Sequence, residues 1–148
     1  MAGSDPTAGE ARAGRWHRFL DHTSELQLEV GAESLAGLLV EAGVALGRLL
    51  LGAGGGEARG PWRTLEVRSK DREALLVDWL NELLYLVETA CDVPLSIDVA
   101  EATDTWLRAR VRGVPVARAP SLVKAATHHE LVVEETASGF RGEVILDV

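Results

Sequence analysis

Three short stretches hold most of the side chains capable of chemistry. They are Asp21-His22-Thr23-Ser24-Glu25 near the start, Lys124 through His128-His129-Glu130 late in the chain, and Asp147 beside the terminal Val148. Glu25 with Asp147 suits a hard, oxygen-liganded ion such as calcium or magnesium, or the softer manganese, because carboxylates and backbone carbonyls are the ligands such ions take. His22 and His129 offer imidazoles, which ligate zinc or act as acid and base near neutrality. Two carboxylates alone do not define a site. Such carboxylates are more often ordinary surface charges, and a histidine at a strand end more often satisfies local hydrogen bonds.

The elements that must position these groups are bounded by length and composition. With 148 residues, 47% hydrophobic and 26% charged, the chain can bury one sizeable core, so a single globular domain is expected. The formal net charge of −8 argues against general affinity for a nucleic-acid backbone, which needs clustered cations, so any RNA connection is expected to run through a protein partner. One cysteine, Cys91, excludes an internal disulfide and a multi-cysteine zinc site, and its default role is that of a small buried residue. There is no uninterrupted apolar run of membrane-spanning length, and residues 1–14 carry no apolar leader core, so a soluble, cytoplasmic protein is expected, with residues 1–14 as a disordered tail and 15–148 as the domain.

Along the domain, Leu26, Leu28 and Val30 alternate with polar residues and predict a half-buried strand. Ser34 is placed to cap a helix carrying Leu35, Leu38, Leu39, Ala42, Leu46, Leu49 and Leu50, whose glycines Gly37, Gly43 and Gly47 read as positions of close packing. The glycine-rich stretch 51–61 lacks the Gly-Lys-Ser/Thr ending of a phosphate loop and reads as a connection. A strand over 62–68 precedes a second helix, capped by Asp71 and carrying Leu75, Leu76, Trp79, Leu80, Leu83, Leu84 and Val87 toward the core. Four strands follow. One of them presents Arg108, Arg110 and Arg112 in line, usually a solvated sheet face and otherwise a surface for an acidic partner. Two helices cannot cover both faces of so much sheet, so the class expected is α+β, an antiparallel or mixed sheet packed with two amphipathic helices.

The last two strands flank Thr136-Ala137-Ser138-Gly139. If that hairpin closes on a four-residue loop, Glu135 faces Phe140, Val133 faces Gly142, and His128 is carried opposite Asp147. Lys124 would then project on the same side and His129 on the other, with Leu131 and Val133. A slip of one residue reverses every side.

Four segments, FLDHTSELQLEV, EALLVDWLNELLYLVET, LVKAATHHELVV and VILDV, occur in an order and spacing that resembles the archease family over residues 16–148. The resemblance implies a small α+β accessory protein that transiently binds an RtcB-type RNA ligase. In tRNA splicing or RNA repair it promotes guanylylation of the ligase histidine by GTP and allows multiple turnover, and it is not itself the catalyst. Contact with RNA is then indirect, and no membrane is involved. The resemblance also implies an acidic metal-binding tip for calcium, manganese or magnesium. Its carboxylate positions fall on Glu25, where the family has aspartate, and on Asp147, next to Val148. Asp21, His22, Lys124, His128, His129 and, on a shortened loop, Arg118 fall on partner-binding or supporting positions. Glutamate at position 25 adds a methylene, and His128 replaces a family tyrosine.

Two other classes of function use the same residues differently. A small metal-dependent hydrolase would employ His22, His129, Glu25 and Asp147 and would act without a partner. A chaperone-like binding module would use an exposed apolar patch and would survive loss of both carboxylates.

Overall fold

The computed structural model describes residues 14–22 and 24–148, with the side chain of His22 left aside. Apart from Gly14, the tail expected over 1–14 lies outside the described residues. The element order is β1 (Trp16–His22), β2 (Glu25–Ala32), α1 (Leu35–Leu51), a 3-10 turn (Gly52–Gly54), β3 (Arg63–Arg68), α2 (Arg72–Ala90), β4 (Asp92–Ala102), β5 (Trp106–Pro115), β6 (Ala125–Thr136) and β7 (Gly139–Asp147). This is the α+β order that periodicity predicts. The strands form two sheets rather than one, ordered β1-β2-β7-β6 and β3-β5-β4, and every pairing is antiparallel.

Both helices start where a side chain can accept an orphan N–H. Ser34 Oγ accepts from Gly37 at 3.0 Å, and Asp71 Oδ1 accepts from Ala74 at 2.8 Å. The apolar stripe of α1 buries Leu38, Leu39, Ala42, Leu46 and Leu50; that of α2 buries Leu75, Leu76, Trp79, Leu80, Leu83 and Val87. Each helix touches both sheets, so one continuous core joins the layers. The indole N–H of Trp79, fully buried, donates to Leu39 O at 2.8 Å and ties the helices together. The segment Leu35–Gly54 has a mean hydropathy of 1.7, enough by length and composition to cross a membrane, yet here it is a core helix against β2, β4 and α2.

Gly43 and Gly47 lie on the face of α1 that meets β4. A Cβ on Gly47 would come within 2.1 Å of Pro94 O, and one on Gly43 within 2.5 Å of Ile97 Cδ1. The helix seats on the strand because these positions carry no side chain. Cys91, by contrast, is not a core residue: half-buried, it closes α2 in the left-handed region at φ 50°, and its N–H donates to Val87 O.

Candidate functional site

Glu25 opens β2 and Asp147 closes β7, and the two are directly paired in the antiparallel ladder. Opposed residues share a face, with Cβ atoms about 5 Å apart. The row extends across the whole sheet, from His22 on β1 through Glu25 and Asp147 to Ala125 on β6. Along β2 and β7, Leu28, Val30, Val144 and Leu146 turn to the core, so Glu25, Gln27 and Glu29 stand on the other face with Glu143 and Asp147. The strand period thus brings two carboxylates, 122 positions apart in the chain, to one outward edge of the sheet.

Farther along this face the other carboxylates have partners. Glu29 is joined by Arg18 and, at 3.0 Å, by Arg141; Glu143 accepts from Gln27 at 3.0 Å and pairs with Arg141; Glu134 pairs with Arg141 at 3.0 Å. No ion pair to Glu25 or Asp147 is found among the described residues. Two unpaired carboxylates facing each other repel, and a bound cation would relieve that repulsion.

The register expected for the last hairpin holds only at its tip. Glu135 pairs with Phe140 and Val133 with Gly142, as predicted, and the ladder continues to Thr136↔Gly139, leaving a two-residue turn. Beyond Val132↔Glu143 the ladder breaks. Residues 128–131 stand against Val144 alone, and pairing resumes at Thr127↔Ile145. Ala125, not His128, is therefore opposite Asp147. Glu130 sits in the left-handed region at φ 52°, and the irregularity pushes His128, His129 and Glu130 into solvent, where His129 pairs with Glu130 at 3.5 Å. Such a bulge carries no signature in the residue types that periodicity reads.

Lys124 lies just before β6, not on the row, and its backbone N–H donates to Asp147 O at 2.7 Å, holding the end of β7. Asp21 pairs with Leu26 and so belongs to the alternate row from Glu25; it is exposed. Arg118 is exposed in the segment between β5 and β6, and no ion pair joins it to either carboxylate. Val148 is exposed, next to Asp147.

Asn81 on α2 was not singled out by sequence reasoning. Its amide donates to Ala126 O at 3.1 Å and its carbonyl accepts from Ala126 N–H at 2.8 Å, which clamps the outer edge of β6 one residue from Ala125. An asparagine inside an apolar helical stripe is the only sequence signal for it.

Among the described residues no three His, Cys, Asp or Glu side chains converge as a metal cage. Glu25 and Asp147 are a two-carboxylate donor set that fits a hard divalent cation whose other ligands are water or a partner's groups. His129, on the bulge and paired with Glu130, is not part of that set.

An antiparallel two-sheet α+β domain with an acidic pair at the end of one sheet is the class of protein these observations define. Residues 17–148 match the family model of the archease protein family (MTH1598/TM1083), and the chain belongs to that family. Protein archease of Archaeoglobus fulgidus is 32% identical over 139 residues, covering 89% of this chain and 98% of that one. Protein archease of Methanosarcina acetivorans is 28% identical over 145 residues, with 91% and 97% covered. The solution structure of Methanobacterium thermoautotrophicum protein 1598 superposes with a TM-score of 0.69 at 25% identity, covering 93% of this chain and all of that one. The crystal structure of a Thermotoga maritima archease, a possible chaperone, shares the fold with a TM-score of 0.61 at 19% identity, covering 87% and 94%.

Proposed function

We propose that this protein is an accessory factor of an RtcB-type RNA ligase, acting in tRNA splicing or RNA repair through a tip formed by Glu25 and Asp147. The observation that carries the reading is the direct pairing of these two residues at the end of the sheet, Asp147 exposed and Glu25 half-buried, with no cationic side chain paired to either among the described residues. An acidic tip of this kind fits a basic, nucleotide-handling cleft, and the net charge of −8 favours steering toward one.

Glu25 and Asp147, beside the terminal residue Val148, would hold a calcium, manganese or magnesium ion, and a bound divalent cation supplies positive charge to phosphate oxygens. The chain's own contribution is positional. Pairing with β2 and β6 fixes the end of β7, the Lys124 N–H anchors the Asp147 carbonyl, and Asn81 clamps the neighbouring strand. Lys124, His128, His129, Asp21, His22 and Arg118 lie on surrounding segments as contacts for the ligase. The ligase performs the joining, contact of the acidic tip with RNA is indirect, through the ligase, and the pair works in the cytoplasm.

The test is guanylylation of the cognate ligase by GTP under multiple turnover, with and without this protein and with Asp147→Ala or Glu25→Ala. Stimulation by the wild type that disappears in both variants is expected. Absence of stimulation with a competent cognate ligase overturns the reading. Binding to unfolded clients that survives both substitutions would instead favour a chaperone role, as for the Thermotoga maritima archease, a possible chaperone.

A further inference from the structure

The arginine row of β5 has no part in the acid tip. It lies on the outward face of the β3-β5-β4 sheet, where alternation carries Trp106, Arg108, Arg110 and Arg112 to one side while Leu107, Ala109 and Val111 enter the core. Arg68 on β3 pairs with Trp106, so it joins the same face. Trp62, just before β3, is 42% exposed. The cations are stacked on the aromatics: Arg110 lies 4.3 Å and Arg112 5.8 Å from the Trp62 ring centroid, and Arg68 and Arg108 lie 5.0 and 6.0 Å from that of Trp106.

Three carboxylates share this face. Glu66 and Glu101 flank Arg108 in the register and Asp98 flanks Arg110. Among the described residues Asp98 alone closes an ion pair on this face, with Arg110 at 3.1 Å, and none joins a carboxylate to Arg68 or Arg108. Arg112 donates to Gly60 O at 2.9 Å. A shallow cavity of about 240 Å³ opens beside Arg108, Arg110, Thr64 and Asp98.

We infer that this face binds single-stranded nucleic acid, with bases stacking on its guanidinium–indole pairs and the arginine N–H groups donating to phosphate oxygens. The interleaved carboxylates decide between ligands. Four cations against three anions, on a chain of net charge −8, attract any polyanion only weakly, so an acidic polypeptide, which offers charge without stacking, fits less well than a ligand that also stacks. A nucleotide chain adds stacking, which tolerates any base and needs an exposed aromatic or guanidinium plane. The outward side chains of β5 repeat about every 6.8 Å along the strand, close to the repeat of an extended nucleotide chain. The surface is independent of Glu25 and Asp147.

The test is fluorescence anisotropy of the full chain with three labelled ten-unit probes at low salt: mixed uridine–adenosine RNA, DNA of matching sequence, and polyglutamate. Both nucleic acids are expected to bind with Kd between about 1 and 100 µM, weakening on the order of tenfold from 50 to 200 mM salt. Tighter binding of RNA assigns the source to RNA through its 2′-hydroxyls, and equal binding assigns it to either strand. Trp62→Ala should weaken binding about tenfold, the loss of one stacked base. Arg108→Gln with Arg110→Gln should weaken it similarly and flatten the salt dependence. All three positions are exposed, and circular dichroism checks the fold of each variant. Asp147→Asn should bind as the wild type does. The proposal is overturned by nucleic-acid Kd values above 100 µM, by polyglutamate binding as tightly as the strands, or by folded variants that retain wild-type affinity.

Discussion

Glu25 and Asp147 face each other across the β2–β7 ladder at the end of the sheet. Like charges directly opposed on neighbouring strands destabilise a sheet, by up to about 1 kcal/mol at exposed positions. In metal-free, low-salt buffer Asp147→Asn is therefore expected to unfold at slightly higher urea than the wild type. Adding calcium or manganese should erase or reverse the difference, since only the wild type keeps both carboxylates. A urea midpoint for Asp147→Asn below that of the wild type in chelator would contradict the opposition of charges.

The seat of α1 on β4 gives a graded prediction. A methyl at Gly47 meets the backbone oxygen of Pro94, which cannot swing away, whereas a methyl at Gly43 meets first the tip of Ile97, which can. Gly47→Ala should cost about 2 kcal/mol or more, the price of overpacking. At Gly43 the helix-propensity gain of about 1 kcal/mol offsets much of the clash. Denaturant midpoints of the two variants, side by side, check the order.

Glu41 is buried on α1, with His17 Nδ1 at 2.6 Å and Arg15 Nε at 3.4 Å. Glu41→Ala should destabilise by about 3 kcal/mol, because it strands polar groups in a dry layer. Replacing Glu41 and His17 together, Glu41→Leu with His17→Leu, should recover part of that loss, since Arg15, also paired with Glu41, is left to turn to solvent. A double-mutant cycle by thermal denaturation measures the coupling, and additive single effects would show that the two side chains do not interact.

Asn81→Leu should cost about 2 kcal/mol by leaving the N–H and C=O of Ala126 unpaired. The same change loosens β6 beside the acidic tip. Hydrogen exchange at Ala126 should accelerate while amides at the far end of the hairpin, near Val133, keep their protection. Uniform acceleration across β6 would instead mean global destabilisation without a local clamp.

Much of the fold is legible in the residues. Ser34 and Asp71 are caps because their short side chains reach back to the first free N–H groups, and the leucine stripes of α1 and α2 bury because their spacing matches the helical repeat. The outward arginines of β5 and the packing role of Gly43 and Gly47 also follow from local periodicity and size. The split into two sheets does not, since strand pairing between distant segments leaves little trace in either one.

For the candidate site, the sequence determined the chemistry of Glu25 and Asp147, while the tertiary structure decided which residues share their row. The hairpin register read correctly from Glu135 to Val133, although Thr136 and Gly139, expected in a four-residue loop, pair and leave a two-residue turn. It failed at His128, because the ladder shifts register over 128–131, with Glu130 in the left-handed region, and alternation of residue types does not reveal such a bulge. Ala125 came opposite Asp147, the histidines moved into solvent, and Asn81, marked in the sequence only as a polar residue in an apolar helical stripe, became the clamp on that strand. Local propensity acts over a turn of helix or a pair of strand residues; register accumulates over a whole strand, so one irregularity reassigns every contact beyond it.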